Sequence, residues 1–430
     1  MNSVPEPVFA QIPPANTADG RRSPDRAPQG GGTFRALRHR SFRLYWSGQI
    51  VSQVGTWMQI VAQGWLVYRL TDSPLMLGLV TFVPLLPVVP LSLVAGVISD
   101  RVPRRRLLLV TETVLLLQAL AMAVLAWLGI VQIWHVIVLS LVLGAAAALE
   151  QPARLALVAD TVGKEDLVSA VALNAAVYNS ARIVGPSLAG LLLAWIGEAG
   201  CFALNSASFL AVILALLAMR LPALAKPGSR LSVGTGLADG FRYVWRTGVI
   251  RGLMIIIALA SLLTLPYIAL MPVFAKDVLH AGPEGLGFLL TGSGIGAIVG
   301  ALGAASLPAG HRGKWLVWSN VVGPLLLVVF CLSRSTPASL AIIVLVGAGN
   351  AVRQTLASSL VQIIAQEQYR GRVMSLFYLL SNGMQQAGAL GMGAAAEWTS
   401  VPLTVGVGAL SSVVLGILIL WRMTLVRRQP

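Results

Sequence analysis

Charged residues are scarce in this chain: Asp, Glu, Lys and Arg make up 11% of its 430 residues, where soluble domains carry about 25%. A water-facing exterior cannot be built from so few, so most of the surface must face lipid. Cysteine is scarcer still. Cys201 and Cys331 both lie in apolar runs, where a thiol serves as a small buried hydrophobe, and neither a disulfide framework nor a metal pair is indicated. The four histidines (His39, His135, His280, His311) are dispersed without a His-Glu-x-x-His pattern, which argues against a membrane-embedded metalloenzyme and against any bound cofactor or metal. Gly-x-x-x-x-Gly-Lys-Ser/Thr is absent, so work done on a solute has to draw on a gradient rather than on ATP. Residues 1–40 are rich in Pro, Gly and Arg and lack the apolar centre of a signal peptide, which predicts a disordered tail.

What is present is hydrophobic length. Hydrophobic residues make up 56% of the chain, and a helix needs about 20 apolar residues to cross about 30 Å of hydrocarbon. Twelve such runs fall near 44–68, 75–99, 105–128, 133–153, 168–195, 200–220, 252–275, 285–306, 314–333, 338–358, 372–396 and 401–422. Of 31 Lys and Arg residues, 27 fall on the side of the chain termini if the spans alternate; Arg69, Lys276 and Arg334 fall on the other side and Arg182 within a span. Lys and Arg are retained in cytoplasmic loops, so both termini are expected in the cytoplasm. The net charge of +15 is then accounted for by this bias, with anionic lipid headgroups as partners and no role for nucleic acid.

The longest internal polar stretch divides the spans six and six. The expected organisation is a tail (1–40), a six-helix unit (41–220), a linker (221–251), a second six-helix unit (252–422) and a short tail (423–430). Leu237, Phe241, Val244 and Trp245 recur at helical spacing in the linker, as in a helix lying on a membrane surface. The halves echo each other: the fourth run ends in Gln151-Pro-Ala-Arg154 and the tenth in Asn350-Ala-Val-Arg353, while Tyr178 and Tyr378 occupy the fifth and eleventh. An all-α membrane protein of two pseudo-symmetric six-helix bundles follows.

The loop after the second run, Gly96-Val-Ile-Ser-Asp100-Arg101-Val-Pro103-Arg104-Arg105-Arg106, resembles the signature loop of the major facilitator superfamily, with Pro103 in place of a glycine. Ala181-Arg-Ile-Val-Gly185-Pro186 resembles the fifth-span motif of the family's antiporters, although Ala189 replaces one expected glycine. With Gln151-Pro-Ala-Arg154 and Arg370-Gly-Arg-Val-Met-Ser375, these segments are similar to the bacterial branch containing the enterobactin exporter and macrolide-efflux relatives. The resemblance covers residues 34 to 425 and implies a secondary transporter in a bacterial inner membrane, exporting a siderophore-like or drug-like molecule by alternating access. It implies gating by Asp100, Arg101, Arg104 and Arg105, which clasp the halves in one conformation, and by Gly185 and Pro186, which allow close packing and a bend. Proton antiport is the family's usual coupling. The fourth run, Val136 to Glu150, lacks the arginine that many proton-coupled antiporters carry there, so an uncoupled exchanger or facilitator, of lipid-like molecules for example, stays open.

Polar residues on one face of a membrane helix either bond to another helix or line water. Gln49, Ser52, Gln53, Thr56 and Gln63 share a face of the first run, Asn174, Tyr178 and Arg182 of the fifth, and Ser375, Tyr378, Asn382 and Gln386 of the eleventh. Three such stripes predict a substrate cavity between the halves of a monomer, with Arg182 as its charged contact. Glu112 and Glu150 are the carboxylates within reach of a proton pathway. Each also has a plainer expectation: Glu112 pairs with Arg104, Arg105 or Arg106, and Glu150 with Arg154 one helical turn on.

Overall fold

The computed structural model describes residues 34–163, 165–219, 233–308 and 311–422; the side chains of residues 93, 96, 97, 99, 100, 233–238 and 420–422 are also outside the described set. Every described element is helical. Among the described residues, nine helices are long and apolar enough to cross a membrane. One of them, Leu167–Ala218, holds 52 residues, about 78 Å at 1.5 Å per residue, and it breaks at Gly197, whose φ of 67° no L side chain adopts at low cost. It therefore supplies two spans. Arg40–Thr71 and Glu367–Trp398, each 32 residues long, complete the set of twelve. Their polar faces, Gln49 to Gln63 and Ser375 to Gln386, are what depress their hydropathy.

Span one is Arg40–Thr71. Span two is Pro74–Phe82 continued by Leu85–Arg101, and span three is Arg104–Trp127. Span four is Ile133–Thr161, and spans five and six are the arms of Leu167–Ala218. Span seven runs from Gly248–Leu263 through a 3-10 turn at Leu265–Ile268 to a π-helical end at Phe274–Val278. Spans eight to twelve are Gly282–Ala305, Arg312–Leu332, Thr336–Ile364, Glu367–Trp398 and Val401–Arg422. The end of the bundle at which span one starts and span twelve finishes is termed the basic end, and the other the far end. Trp127, Trp195 and Trp398 stand exposed at the far end and Trp245 and Trp315 at the basic end, the arrangement of interfacial aromatic belts.

Two boundaries differ from expectation. Gln151-Pro-Ala-Arg154 and Asn350-Ala-Val-Arg353 do not close their spans: span four continues to Thr161 and span ten to Ile364. Hydropathy stopped the fourth run at 153 and the tenth at 358 because polar residues end an apolar run, although the helix does not need apolar residues to continue. The linker is described from 233 onward as a helix, Val233–Arg246, with Phe241 and Trp245 exposed and stacked at 5.7 Å, beside Arg242 and Arg246. Val244 is buried against the second half, and Arg372 of span eleven pairs with Asp239 at 3.6 Å. The expected tails 1–33 and 423–430, and linker residues 221–232, lie outside the described residues.

The halves join through small residues. Gly190 of span five and Gly287 of span eight approach backbone to backbone, Gly78 of span two packs on Ala389 and Leu390 of span eleven, and Gly393 packs on Pro74. Small residues let membrane helices come close enough for dispersion to hold them. Gly296 and Gly300 do the same within the second half, against Val344 and Ala348 of span ten.

Candidate functional site

Polar bonds fasten the far end across the seam between the halves. Tyr68 donates to Asp277, Lys276 reaches Asp72 at 2.5 Å, and Ser73 and the Leu75 backbone N–H both donate to Glu397. Below this layer Ser187 and Thr291 bond at 2.7 Å, and Ile183 fills the space over Gly294. Nearer the basic end the facing residues become exposed. Tyr178 is 49% and Tyr378 55% accessible, and Arg182 and Asn382 are exposed as well. These positions lie well inside spans five and eleven, where an exposed phenol, amide or guanidinium on the seam face belongs to water and not to lipid. The result is a cleft roofed by the far-end seam and open toward the basic end.

The three expected stripes divide between lining and packing. Tyr178, Arg182, Tyr378 and Asn382 face the cleft; Asn174 and Gln386 are half-buried at its margin, and the Gln386 Oε1 has no hydrogen-bond partner among the described residues. Trp57 meets the Tyr178 ring edge-on at 5.8 Å, which ties span one to the lining. Gln49 and Gln53 are buried instead: Gln49 Nε2 donates to Tyr45 and, at 3.5 Å, to Glu112, and Gln53 donates to Gln49. Thr56 is half-buried and caps back onto the Ser52 carbonyl at 2.9 Å, while Gln63 donates to Ser140 of span four. A one-sided polar face cannot by itself distinguish water from a neighbouring helix. Sequence reasoning missed the longest chain of this kind, Asn205 to Gln59 to Gln118, at 2.6 and 3.0 Å through spans six, one and three.

The carboxylates resolve differently. Glu150 pairs with Arg154, as the plainer expectation held. Glu112 does not pair with the basic loop: it is 1% exposed, its Oε2 has no partner among the described residues, and its charged neighbour is Arg154. The loop arginines are occupied elsewhere, since Arg104 holds Asp160 and the Ala156 carbonyl, and Arg105 donates to the Leu217 carbonyl at 2.9 Å. Both reach only into their own half, so neither clasps the halves in this conformation. Arg101 is exposed, and the side chain of Asp100 lies outside the described residues. Gly185 seats span five against Trp57 and Val54 of span one, and Pro186 lends its carbonyl to the contact at Gly287.

One charged residue was misplaced. Arg353, counted from the sequence with the cytoplasmic cations, is 2% exposed and eleven residues inside the end of span ten. Its one side-chain bond is to Asn350 Oδ1 at 2.7 Å, and its Nη1 has no partner among the described residues. An arginine at the centre of a bilayer costs about 2.5–3.5 kcal/mol even on insertion scales. The matching Asn350-Ala-Val-Arg353 and Gln151-Pro-Ala-Arg154 segments were the signal that could have found it.

Comparison with known proteins agrees with this geometry. The transmembrane secretion effector family of the major facilitator superfamily matches residues 31–429. The multidrug efflux pump Tap of Mycolicibacterium fortuitum is 28% identical over 354 residues, covering 80% of this chain and 85% of the pump. The enterobactin exporter EntS of Shigella boydii is 26% identical over 393 residues, covering 91% and 93%. In fold, the chain is similar to a bacterial homologue of the human lysosomal transporter Spinster, crystallised in an inward-facing, occupied conformation: the TM-score is 0.68 at 12% identity, covering 93% of this chain and 98% of that one. With its two six-helix halves, its central cleft and a family match across nearly its whole length, this chain is a transport protein and belongs to the transmembrane secretion effector family of the major facilitator superfamily.

Proposed function

We propose that the chain, acting as a monomer, exports a small organic molecule, drug-like or siderophore-like, from the cytoplasm across a bacterial inner membrane. The basic end is the cytoplasmic end, because Lys and Arg concentrate there and translocating them is costly. The observation that carries the reading is the cleft itself: polar residues of both halves, Tyr178 and Arg182 on one side and Tyr378 and Asn382 on the other, stand open toward the basic end beneath a closed far end. A molecule enters from the cytoplasm, the halves rock about it, and the far-end seam opens. Relatives named for multidrug efflux and for enterobactin export support the direction and the size of cargo. The loop from Gly96 to Arg106 clasps the cytoplasmic side in the opposite conformation.

Protons are the counter-ion in this reading, with Glu112 as the carrier. Glu112 is buried inside the bundle and bonded through one oxygen only among the described residues, which leaves its second oxygen open to a proton. Glu150, neutralised by Arg154, is the lesser candidate. Everted vesicles supplied with an external fluorescent drug, with and without an imposed pH gradient, test this. Wild type is expected to accumulate drug only with the gradient, and Glu112→Gln to lose that dependence while Glu150→Gln keeps much of it. Gradient-independent transport by wild type would leave the exchanger in place of the antiporter.

A further inference from the structure

The two halves treat one arginine differently. In the first half Arg154 is neutralised by Glu150 on its own helix and has Glu112 of span three nearby. In the second half Arg353 occupies the matching place, but the residue matching Glu150 is Gly349, and the residue matching Glu112, eight positions into span nine, is Asn320. The cation was kept and both of its anions are gone. Among the described residues no carboxylate pairs with Arg353, and Asn350, its one bonded partner, leaves its own Nδ2 unpartnered.

The surroundings are buried but polar. Tyr267 lies next to Asn350 and within electrostatic reach of both Arg353 and Arg182, and its hydroxyl bonds to Ser293 at 3.0 Å. Tyr267 stands in the 3-10 turn that interrupts span seven, preceded by Thr264, whose buried Oγ1 has no partner among the described residues. Irregular backbone inside a membrane is tolerated where it is buried in protein or lines a cavity; Pro266 and Tyr267 of this turn are buried, and interrupted spans are where transporters present polar groups to their cargo. Ile183, next to Arg182, packs over Gly294, Ser293 bonds Tyr267, and Gly347, one turn before Asn350, packs on the Ser293 backbone, so Arg182, Tyr267, Asn350 and Arg353 lie in one region, and no carboxylate pairs with either arginine among the described residues.

We propose that the missing negative charge is carried by the transported molecule, as a carboxylate that docks between Arg182 and Arg353 with Asn350 and Tyr267 donating hydrogen bonds. Arg182 is exposed in this open conformation and Arg353 is covered, so the carboxylate meets Arg182 first and reaches Arg353 as the halves close. This deepens the export reading and rests on it: the cargo is an organic acid. Arg182 then links cargo to closure, because covering an exposed guanidinium is unfavourable while it is unneutralised and much less so once a carboxylate is paired with it.

The test uses the full chain in nanodiscs and reads thermal midpoint against salicylate, citrate, chloride and the uncharged salicylamide. Salicylate or citrate is expected to raise the midpoint by several degrees, salicylamide is not, and Arg353→Gln is expected to remove the shift. Because Arg353→Gln can misfold, Asn350→Asp supplies a second arm: a resident carboxylate beside Arg353 should raise the ligand-free midpoint and abolish the response to carboxylates. A purely structural Arg353 would give the stabilisation in Asn350→Asp but leave any ligand response intact, which would overturn the proposal. So would equal responses to salicylate and salicylamide, no response to either carboxylate, or a response to chloride alone, which would make the anion an inorganic resident. Uptake of carboxyfluorescein and of its uncharged ester by everted vesicles reads export separately: equal uptake of both removes only the organic-acid assignment, and a carboxylate response in the midpoint without uptake of either removes only the export direction.

Discussion

Replacing Asp277 and Glu397 by Asn and Gln should open the far end. Three sets of polar links there cross the seam: Tyr68 to Asp277, Asp72 to Lys276, and Ser73 with the Leu75 N–H to Glu397. The Tyr68 bond is part-buried and made to a charge, a class with a net contribution of about 1.5–3 kcal/mol. Asp72 and Lys276 are more exposed, and pairs of that kind contribute about 0.2–1 kcal/mol and weaken with salt. Removing both acceptor charges therefore costs the far-closed form about 3 kcal/mol, or roughly a hundredfold in the equilibrium between closed and open. Spin labels at Leu128→Cys and Leu332→Cys, exposed far-end sites on opposite halves, read the change as a longer distance population by pulsed electron resonance. The background would carry Cys201→Ala and Cys331→Ala, since both thiols are buried. Arg69 supplies the control: it pairs with Glu198 at 2.7 Å inside the first half, so Arg69→Gln breaks an ion pair of the same layer without touching the seam. An unchanged distribution in the double variant, or an equal shift in Arg69→Gln, would refute the assignment of closure to these links.

Gly190→Leu should abolish transport in protein that still reaches the membrane, because even its Cβ would collide with the Gly287 backbone, whereas Gly303→Leu, with nothing within 4 Å, should transport at wild-type rate in the same assay. Gln59→Leu should lower stability by about 1–3 kcal/mol, since it strands the amides of Asn205 and Gln118; thermal unfolding checks this, and an altered cargo preference without loss of stability would move Gln59 from the packing network into the cleft. Tyr178→Ala should raise KM by about two- to tenfold, the worth of roughly 0.5–1.5 kcal/mol of aromatic contact, with expression and fold unchanged.

The twelve spans were legible because hydropathy over about 20 residues is a strong, local signal. Their ends were not. Spans four and ten run past Arg154 and Arg353 as helices whose polar residues find partners in the bundle, and no local pattern distinguishes such an extension from a loop. The lining was half legible. Stripes on spans five and eleven face the cleft, while the equally regular stripe on span one is spent largely on Glu112, Ser140 and its own turns. Which of two outcomes a polar face takes depends on what the facing helix brings, and that is a tertiary fact. The breaks at Gly197 and at Leu265–Ile268 had a sequence trace, in a Trp-Ile-Gly-Glu turn and a Leu-Pro-Tyr step, but only the packed chain tells that one is a hairpin outside the bilayer and the other a polar turn within it.

Duplication makes departures from symmetry informative, because two copies of one helical unit begin with the same solution to the same burial problem. An arginine pointing into the bundle needs a counter-charge, and the first half keeps one within a helical turn. Once the second half has Gly349 and Asn320 where the first has Glu150 and Glu112, Arg353 becomes a liability of a few kcal/mol in any state where it stays dry and alone. Replacing that arginine with an apolar residue would remove the cost in one step, as it does for buried ion pairs in soluble proteins. The chain has instead left Arg353 in place, walled it with Tyr267 and Asn350, and set a second arginine, Arg182, on the opposing half. On that proposal each half contributes one guanidinium that no carboxylate pairs among the described residues, Arg182 from the first and Arg353 from the second, so closing the cleft depends on the charge of what enters it.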